Sequence, residues 1–271
     1  MVFHAVLKKF FEGLSANGIL LENLDEEGFR KITGKSISDG SLHPGSQLED
    51  IIRGELRAHM FHPSRLLFET EVLYFHGYLA DFLGRYRDGS KISPAFAKKS
   101  EWEGTPFFPS LFEISVDRSQ NVRIHQNPDI FFVGKIDRVD RSPAGWEFIV
   151  DYKRSTSGAE KENIHQLLFY AHARNVLAGK KTVAGMVFFP ILPGSKPSRN
   201  VAKVLTTYEM DNDQFVVDGA RKEKEWKLED FLDSVGERLE RVLSGHFDFP
   251  EKGSPCFSCE FKGIFCPGVD R

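Results

Sequence analysis

The sequence predicts an α/β fold, a central mixed β-sheet flanked by helices. Two observations carry that expectation. Apolar runs of strand length cluster between residues 95 and 210, and segments with a 3.6-residue apolar period lie before, within and after them. A third bounds it: 271 residues suffice for one large domain with a sizeable core, and no internal repeat or low-complexity run divides the chain.

The elements follow in order. Phe3, Val6, Leu7, Phe10, Phe11 and Leu14 form the stripe of an amphipathic helix over residues 3–16, which ends near Asn17-Gly18. Leu24 to Pro44, dotted with Gly and Ser, reads as irregular. Helices are expected over Leu48 to Phe61 and, after the break at Pro63, over Ser64 to Arg87, with Leu66, Leu67, Val72, Phe75, Leu79, Phe82 and Leu83 as the second one's apolar face. Strands are expected over Ala95 to Trp102, Phe108 to Val116, Asn121 to His125, Ile130 to Arg138 and Trp146 to Arg154. A helix over Glu160 to Ala178 turns Ile164, Leu167, Leu168, Ala171 and Val176 inward. Strands at Val183 to Ile191 and Lys203 to Met210 follow, separated by the loop Pro193 to Arg199, and a helix over Leu228 to Leu243 closes the regular structure.

The chemistry concentrates in Gly134-Lys-Ile-Asp137-Arg-Val-Asp140 and Val150-Asp151-Tyr152-Lys153. The short, turn-rich linker Arg141-Ser-Pro-Ala-Gly145 suits a hairpin, which sets Asp137 and Asp151 on adjacent strands. Alternation along a strand gives Asp151 and Lys153 one face, and Val150 and Tyr152 the other. Two carboxylates able to hold a hard divalent cation, with an ammonium beside them, equip a site to cleave a phosphodiester. Gln166 and Tyr170, four apart on the following helix, sit one turn above each other.

Together, His4 in His-Ala-Val-Leu-Lys-Lys-Phe-Phe, Gly134-x-Ile-Asp137, Asp151-Tyr-Lys153 and Gln166-x-x-x-Tyr170 resemble the successive motifs of RecB-like nucleases of the PD-(D/E)xK superfamily. The likeness runs from His4 to Cys266, and the Asp-Tyr-Lys form is closest to the AddB-type nuclease domains of helicase–nuclease complexes. It implies a restriction-endonuclease-like core with a helical insertion over residues 17–92 in a single nuclease domain of residues 1–271. It implies Mg2+ or Mn2+ on His4, Asp137, Asp151 and the Tyr152 carbonyl, with Lys153 orienting or deprotonating water or offsetting charge. Gln166 and Tyr170 would position the scissile strand or brace the lysine strand, and Glu113 would be a supporting or second-metal carboxylate. The implied activity is exonucleolytic cleavage of DNA beside a helicase partner, in double-strand-break repair and recombination.

All three cysteines fall in the tail, as Cys256-x-x-Cys259 and Cys266 within residues 247–271. Such clustering, an odd count and no secretory signal point to a reducing cytoplasm and to metal ligation by iron–sulfur or zinc. Three ligands leave a tetrahedral or four-iron site one short. The AddB-type resemblance implies a fourth cysteine ahead of His4, hence a C-terminal fragment of a longer protein whose full length holds a 4Fe-4S cluster; His246, His62 or water are alternatives for zinc.

A net charge of −3 excludes a strongly basic nucleic-acid coat, and no apolar run reaches membrane-spanning length. Basic groups along the chain read first as solvated faces; as phosphate contacts, only Arg138 and Arg154, nearest the motifs, draw extra weight. Asp140 is expected at the surface or in support of the site, and His125, His165 and His172 as ordinary surface or packing residues. Two other classes compete with the nuclease. One is a catalytically silent DNA-binding or scaffold domain, disfavoured by the intact Asp137, Asp151 and Lys153. The other is a protein whose cysteine-bound metal is itself the functional centre.

Overall fold

The computed structural model describes residues 2–62, 64–88, 102, 105–124, 130–153, 164–191, 203–217 and 225–245. Helix α1 (Val2–Ala16) opens the chain. Helices α2 (Glu26–Thr33), α3 (Gln47–His59) and α4 (Arg65–Asp88) precede the sheet. Strands β1 (Phe108–Val116), β2 (Gly134–Arg141) and β3 (Glu147–Lys153) form an antiparallel meander. Helix α5 (Ile164–Ala178) then leads to β4 (Val183–Pro190), which pairs parallel to β3. Strands β5 (Lys203–Glu209), β6 (Gln214–Val217) and β7 (Glu225–Trp226) extend the sheet antiparallel, and α6 (Leu228–Leu243) follows. Strand order in space is strand order in sequence, β1 to β7. The sheet is mixed, with helices on both faces, as the apolar pattern requires.

Alternation on β3 and β4 divides the core. Phe148, Val150 and Tyr152 of β3, with Val187 and Phe189 of β4, pack under α1, α3 and α4. Ile149 of β3, with Met186 and Phe188 of β4, packs under α5 and Phe231 and Leu232 of α6. Central β4 is buried at every position, which explains why it reads as an unbroken apolar run rather than an alternating one. The α1 stripe holds as expected: Val6, Leu7, Phe10, Phe11 and Leu14 are all buried.

Several expectations need correction. Residues 24 to 44 are not wholly irregular, because α2 lies inside them. Its N-cap Asp25 accepts from Gly28 N at 2.7 Å, and Gly34 closes it in the left-handed conformation at φ 79°. The Gly- and Ser-rich composition hid an eight-residue helix whose only apolar anchors are Phe29 and Ile32. Residues 121 to 124 are not a strand. Asp117 caps a short 3-10 helix (Arg118–Gln120), Asn121 turns left-handed at φ 56°, and only a lone bridge joins Arg123 to Phe131. The strand expected from Ile130 therefore begins at Gly134.

Strands β6 and β7 were not anticipated; both are short, and β6 follows a turn whose polar residues mask the pattern. Leu66, Leu67 and Val176 were placed on inner faces but are exposed, as is Val133. Leu66 and Leu67 stand in the first turn of α4 and Val176 in the last of α5, where a helix end overruns the layer that it packs on. The strand expected over 95–101, residues 160–163 of the expected helix, the loop 193–199 and the tail 247–271 lie outside the described residues.

Helix α5 is fixed to the sheet by an ion triad around the buried Glu147, in which Arg174 is buried and Arg141 is exposed. Arg174 Nε and Nη2 donate to Glu147 Oε2 and Oε1, both at 2.7 Å, and Arg141 Nη2 donates to Glu147 Oε1 at 2.9 Å. Burial alone pushes the Glu147 carboxyl up, but the two guanidiniums more than reverse this and hold it below its ordinary 4.5. A depressed folded value stabilises the fold above the unfolded value, and the effect is lost as pH falls through the folded one. Glu147→Gln is therefore expected to unfold about 3 kcal/mol more easily at pH 7, since two guanidiniums lose their counter-charge. The gap in denaturant midpoint between wild type and variant should close as pH is lowered below 4.5; a gap independent of pH would rule the triad out as its source.

Candidate active site

The β2–β3 ladder runs from Arg141↔Glu147 to Arg138↔Val150 and stops there. One residue further, the Asp137 side chain takes over: its Oδ2 accepts the Tyr152 backbone N–H at 2.8 Å. The carboxylate thus satisfies a backbone donor where the two strands cease to pair. It also ties the Asp151-Tyr152-Lys153 segment to β2. The other oxygen, Oδ1, lies 3.1 Å from Nδ1 of His4, which the first turn of α1 brings to the same spot. That contact raises the His4 pKa against the opposing effect of burial.

Asp151 is only 3% exposed. Its Oδ1 accepts from Gln166 Nε2 at 3.1 Å, and its buried Oδ2 meets the Lys153 ammonium at 2.7 Å without the angle of a hydrogen bond. Lys153 Nζ donates to Gln166 Oε1 at 2.6 Å, and Gln166 Nε2 also lies 2.6 Å from the Tyr170 hydroxyl. One amide on α5 therefore bridges the acid and the amine of β3. Burial, and next the negative charge of Asp137, push the Asp151 carboxyl up to about 6, while Lys153 works the other way. Burial and the Asp151 charge likewise raise the Tyr170 phenol.

His4, Asp137, Asp151, Lys153, Gln166 and Tyr170, drawn from α1, β2, β3 and α5, thus meet at one place, with the Tyr152 peptide between them. Among the described residues, no three His, Cys, Asp or Glu side chains form a ready-made metal cage. The reason is visible in the bonding, where every carboxylate oxygen is turned toward a protein donor. The donor set nonetheless suits a hard divalent ion. Two carboxylates repel each other in a partly buried site, the charge of Asp137 adding to burial in raising the Asp151 carboxyl, and that is the imbalance a dication corrects.

Other expected residues fall elsewhere. Arg138 does not track phosphate: it is 1% exposed and faces the core beneath Tyr152. Its Nη1 donates to the Tyr152 hydroxyl at 2.7 Å and its Nη2 to Tyr86 and Asp140 at 3.0 and 2.9 Å, with the guanidinium 4.4 Å from the centre of the Phe11 ring. Asp140 is likewise buried, as the counter-charge of Arg138. Alternation explains both, because residues 138 and 140 take the opposite face from 137. His165 stacks on Phe231 and His172 bonds the Arg123 carbonyl, packing roles as expected. Arg154, His125, His246, Cys256, Cys259 and Cys266 lie outside the described residues.

Glu113 is beside the site, but its contacts are two lysines. Lys8 lies 3.4 Å from its Oε2 and Lys135 3.0 Å from its Oε1. Against partial burial, Lys135 and then Lys8 hold its carboxyl below the usual value. Its backbone is left-handed at φ 49° within β1. Such a conformation costs about 1–3 kcal/mol for a residue other than glycine. Ion pairs this exposed offset about 0–1 kcal/mol, so the pairs do not account for the strain by themselves. Neither lysine was singled out from sequence, although the signal was there: Lys8 is four residues from His4, and Lys135 two from Asp137.

A mixed sheet with an acid pair and a lysine where two strands part, closed by a helix carrying glutamine and tyrosine, defines a nuclease-like α/β core. A family model described as PD-(D/E)XK nuclease superfamily matches residues 1–267. The chain belongs to that superfamily, whose members are metal-dependent nucleases that use divalent ions such as Mg2+. No curated protein matches the chain. No helix among the described residues is long and apolar enough to cross a membrane.

The buried Arg138 contact bears directly on the site, because Tyr152 lies between Asp151 and Lys153. Arg138→Met removes the guanidinium that buried Asp140 meets at 2.9 Å and is expected to cost about 3–5 kcal/mol. Adding Asp140→Leu should recover most of that loss in chemical denaturation, since the second charge is then gone. Equal instability of single and double variants would show that packing of the guanidinium, and not charge pairing, holds this part of the core.

Proposed function

We propose that the chain is a divalent-metal-dependent deoxyribonuclease whose active site is the cluster around Asp137 and Asp151. The observation that carries this reading is the convergence of both acids with Lys153 and His4, groups distant in sequence, in a chain of this superfamily. His4, Asp137, Asp151 and the Tyr152 carbonyl are the groups that would hold the ion. When bound, a divalent ion supplies Lewis-acid polarisation of water and of a phosphoryl oxygen.

The rest is the work of the chain. Hydrolysis joins a water oxygen to phosphorus and breaks one ester bond, leaving a phosphate end and a hydroxyl end. Negative charge grows on the phosphoryl oxygens as this happens, and a preorganised ammonium lowers the barrier. Lys153 provides it, held by Asp151 and Gln166 so that its position does not depend on substrate. Gln166, anchored to Tyr170, keeps acid and amine at fixed separation. Asp137 does the same for the Tyr152 peptide, and so for the groups on either side of it.

The finer features extend from the motif resemblance. They are exonucleolytic action on ends delivered by a helicase partner, in cytoplasmic double-strand-break repair and recombination, and a 4Fe-4S cluster or zinc on Cys256, Cys259 and Cys266. Iron and sulfide analysis of the purified chain decides between the two metals.

Linear DNA incubated with Mn2+ tests the central reading. The wild type is expected to degrade it, with Asp151→Ala and Lys153→Ala each slower by about 10²–10⁴-fold while circular dichroism stays unchanged. Undiminished cleavage by folded Asp151→Ala would overturn the assignment.

A further inference from the structure

Two ammoniums stand beside the acid pair and take no part in the chemistry described so far. Lys8 is four residues beyond His4 on α1, about 6 Å along the helix. Lys135 is two residues before Asp137 on β2, about 6.6 Å along the strand and on the same face. Glu113 reaches them from a third element, β1, at the register position opposite Asp137, between the pairs Phe112↔Arg138 and Ile114↔Ile136. It takes one lysine on each carboxylate oxygen. The side chain of Glu113 is set back at 24% exposure, while those of Lys8 and Lys135 reach solvent at 35% and 52%. The trio carries a net charge of +1 and presents its cations outward. Along their own elements, Lys8 is displaced from His4, and Lys135 from Asp137, by one to two nucleotide rises of about 3.4 Å.

We propose that Lys8 and Lys135, spread and aimed by Glu113, form a clamp for two nucleic-acid backbone phosphates beside the one that is cut, one on each ammonium. The clamp rests on the nuclease reading for its neighbour, but not for its own chemistry, which is anion binding alone. It reassigns Glu113: a carboxylate with a lysine on each oxygen is a positioning residue for two cations and not a ligand of a second metal ion. The left-handed backbone at Glu113 then has a purpose, because it carries the carboxylate to a point midway between α1 and β2.

Binding in EDTA, where no cleavage occurs, isolates the clamp. Anisotropy of a fluorescent oligonucleotide, measured across a salt series, gives the slope of log K against log salt. Each phosphate contact contributes about 0.7–0.9 to that slope. The double variant Lys8→Ala/Lys135→Ala is expected to lose about 1.4–1.8 from it, and Lys8→Arg/Lys135→Arg to keep it, both with unchanged melting temperature. Should the double alanine variant fail to fold, Lys135→Ala alone is expected to lose about 0.7–0.9. An unchanged slope in a folded alanine variant overturns the clamp. A second arm addresses Glu113, whose change to Gln is expected to leave the Mn2+ concentration for half-maximal cleavage where it is. A rise of tenfold or more would make it a metal ligand and overturn its assigned role. Cleavage by the wild type is scored separately, so a salt slope that falls in a protein that does not cut would sink the nuclease reading and leave the clamp standing.

Discussion

A carboxylate stands in for a strand partner, and the site follows from that substitution. Where the β2–β3 ladder ends, Asp137 accepts the Tyr152 N–H that no backbone carbonyl of β2 takes. Had the strands kept pairing, Asp137 would be one more side chain on a sheet face. Because they part, a charged group is drawn to the seam and is held against both β3 and the first turn of α1. Burying a carboxylate is tolerable only where donors surround it, and here the peptide of Tyr152 and the imidazole of His4 supply them. The His4 contact also ties the first turn of α1 to β2, so the start of the helix and the site share one constraint.

The two faces of β3 divide the labour. Tyr152 turns inward to Arg138, Tyr86 and Phe189, a cluster of aromatic rings around a guanidinium. Asp151 and Lys153 turn to Gln166 of α5. A rigid core on one side and a single neutral amide on the other hold an acid and an amine at close range before any substrate arrives. Preorganisation of this kind is what electrostatic catalysis needs, since nothing has to reorient as charge develops. The strained backbone of Glu113 on β1 belongs to the same economy of position: its conformation is unfavourable locally and is tolerated where a group must be placed.

What the sequence disclosed, and what it hid, follows from the range of each interaction. Asp137, Asp151 and Lys153 were legible because a turn-rich linker of five residues and two-residue alternation place them without reference to the rest of the chain. The α1 stripe and the unbroken apolar run of β4 were legible for the same reason. Helix α2 was not, since an Asp25 cap and two apolar anchors in a polar stretch give too little periodicity to stand out. Arg138 was misplaced because a basic residue beside an acidic motif looks like a phosphate contact. Alternation alone would have turned it to the Tyr152 face, but only the packed core shows that Asp140 and two phenols await it there. Lys8 and Lys135 lay at readable spacings from His4 and Asp137, yet nothing local joins them to Glu113; that link exists only once α1, β1 and β2 are side by side.

The shared cation is the claim from which the chemistry descends, and calorimetric titration of the folded protein with Mn2+ addresses it most directly. A single site is expected in the wild type, weakened tenfold or more by Asp137→Asn and by Asp151→Asn alike, and weakened to a smaller extent by His4→Ala. If both asparagine variants bound Mn2+ as the wild type does, the two acids would not share an ion, and the site described around them would have to be given up.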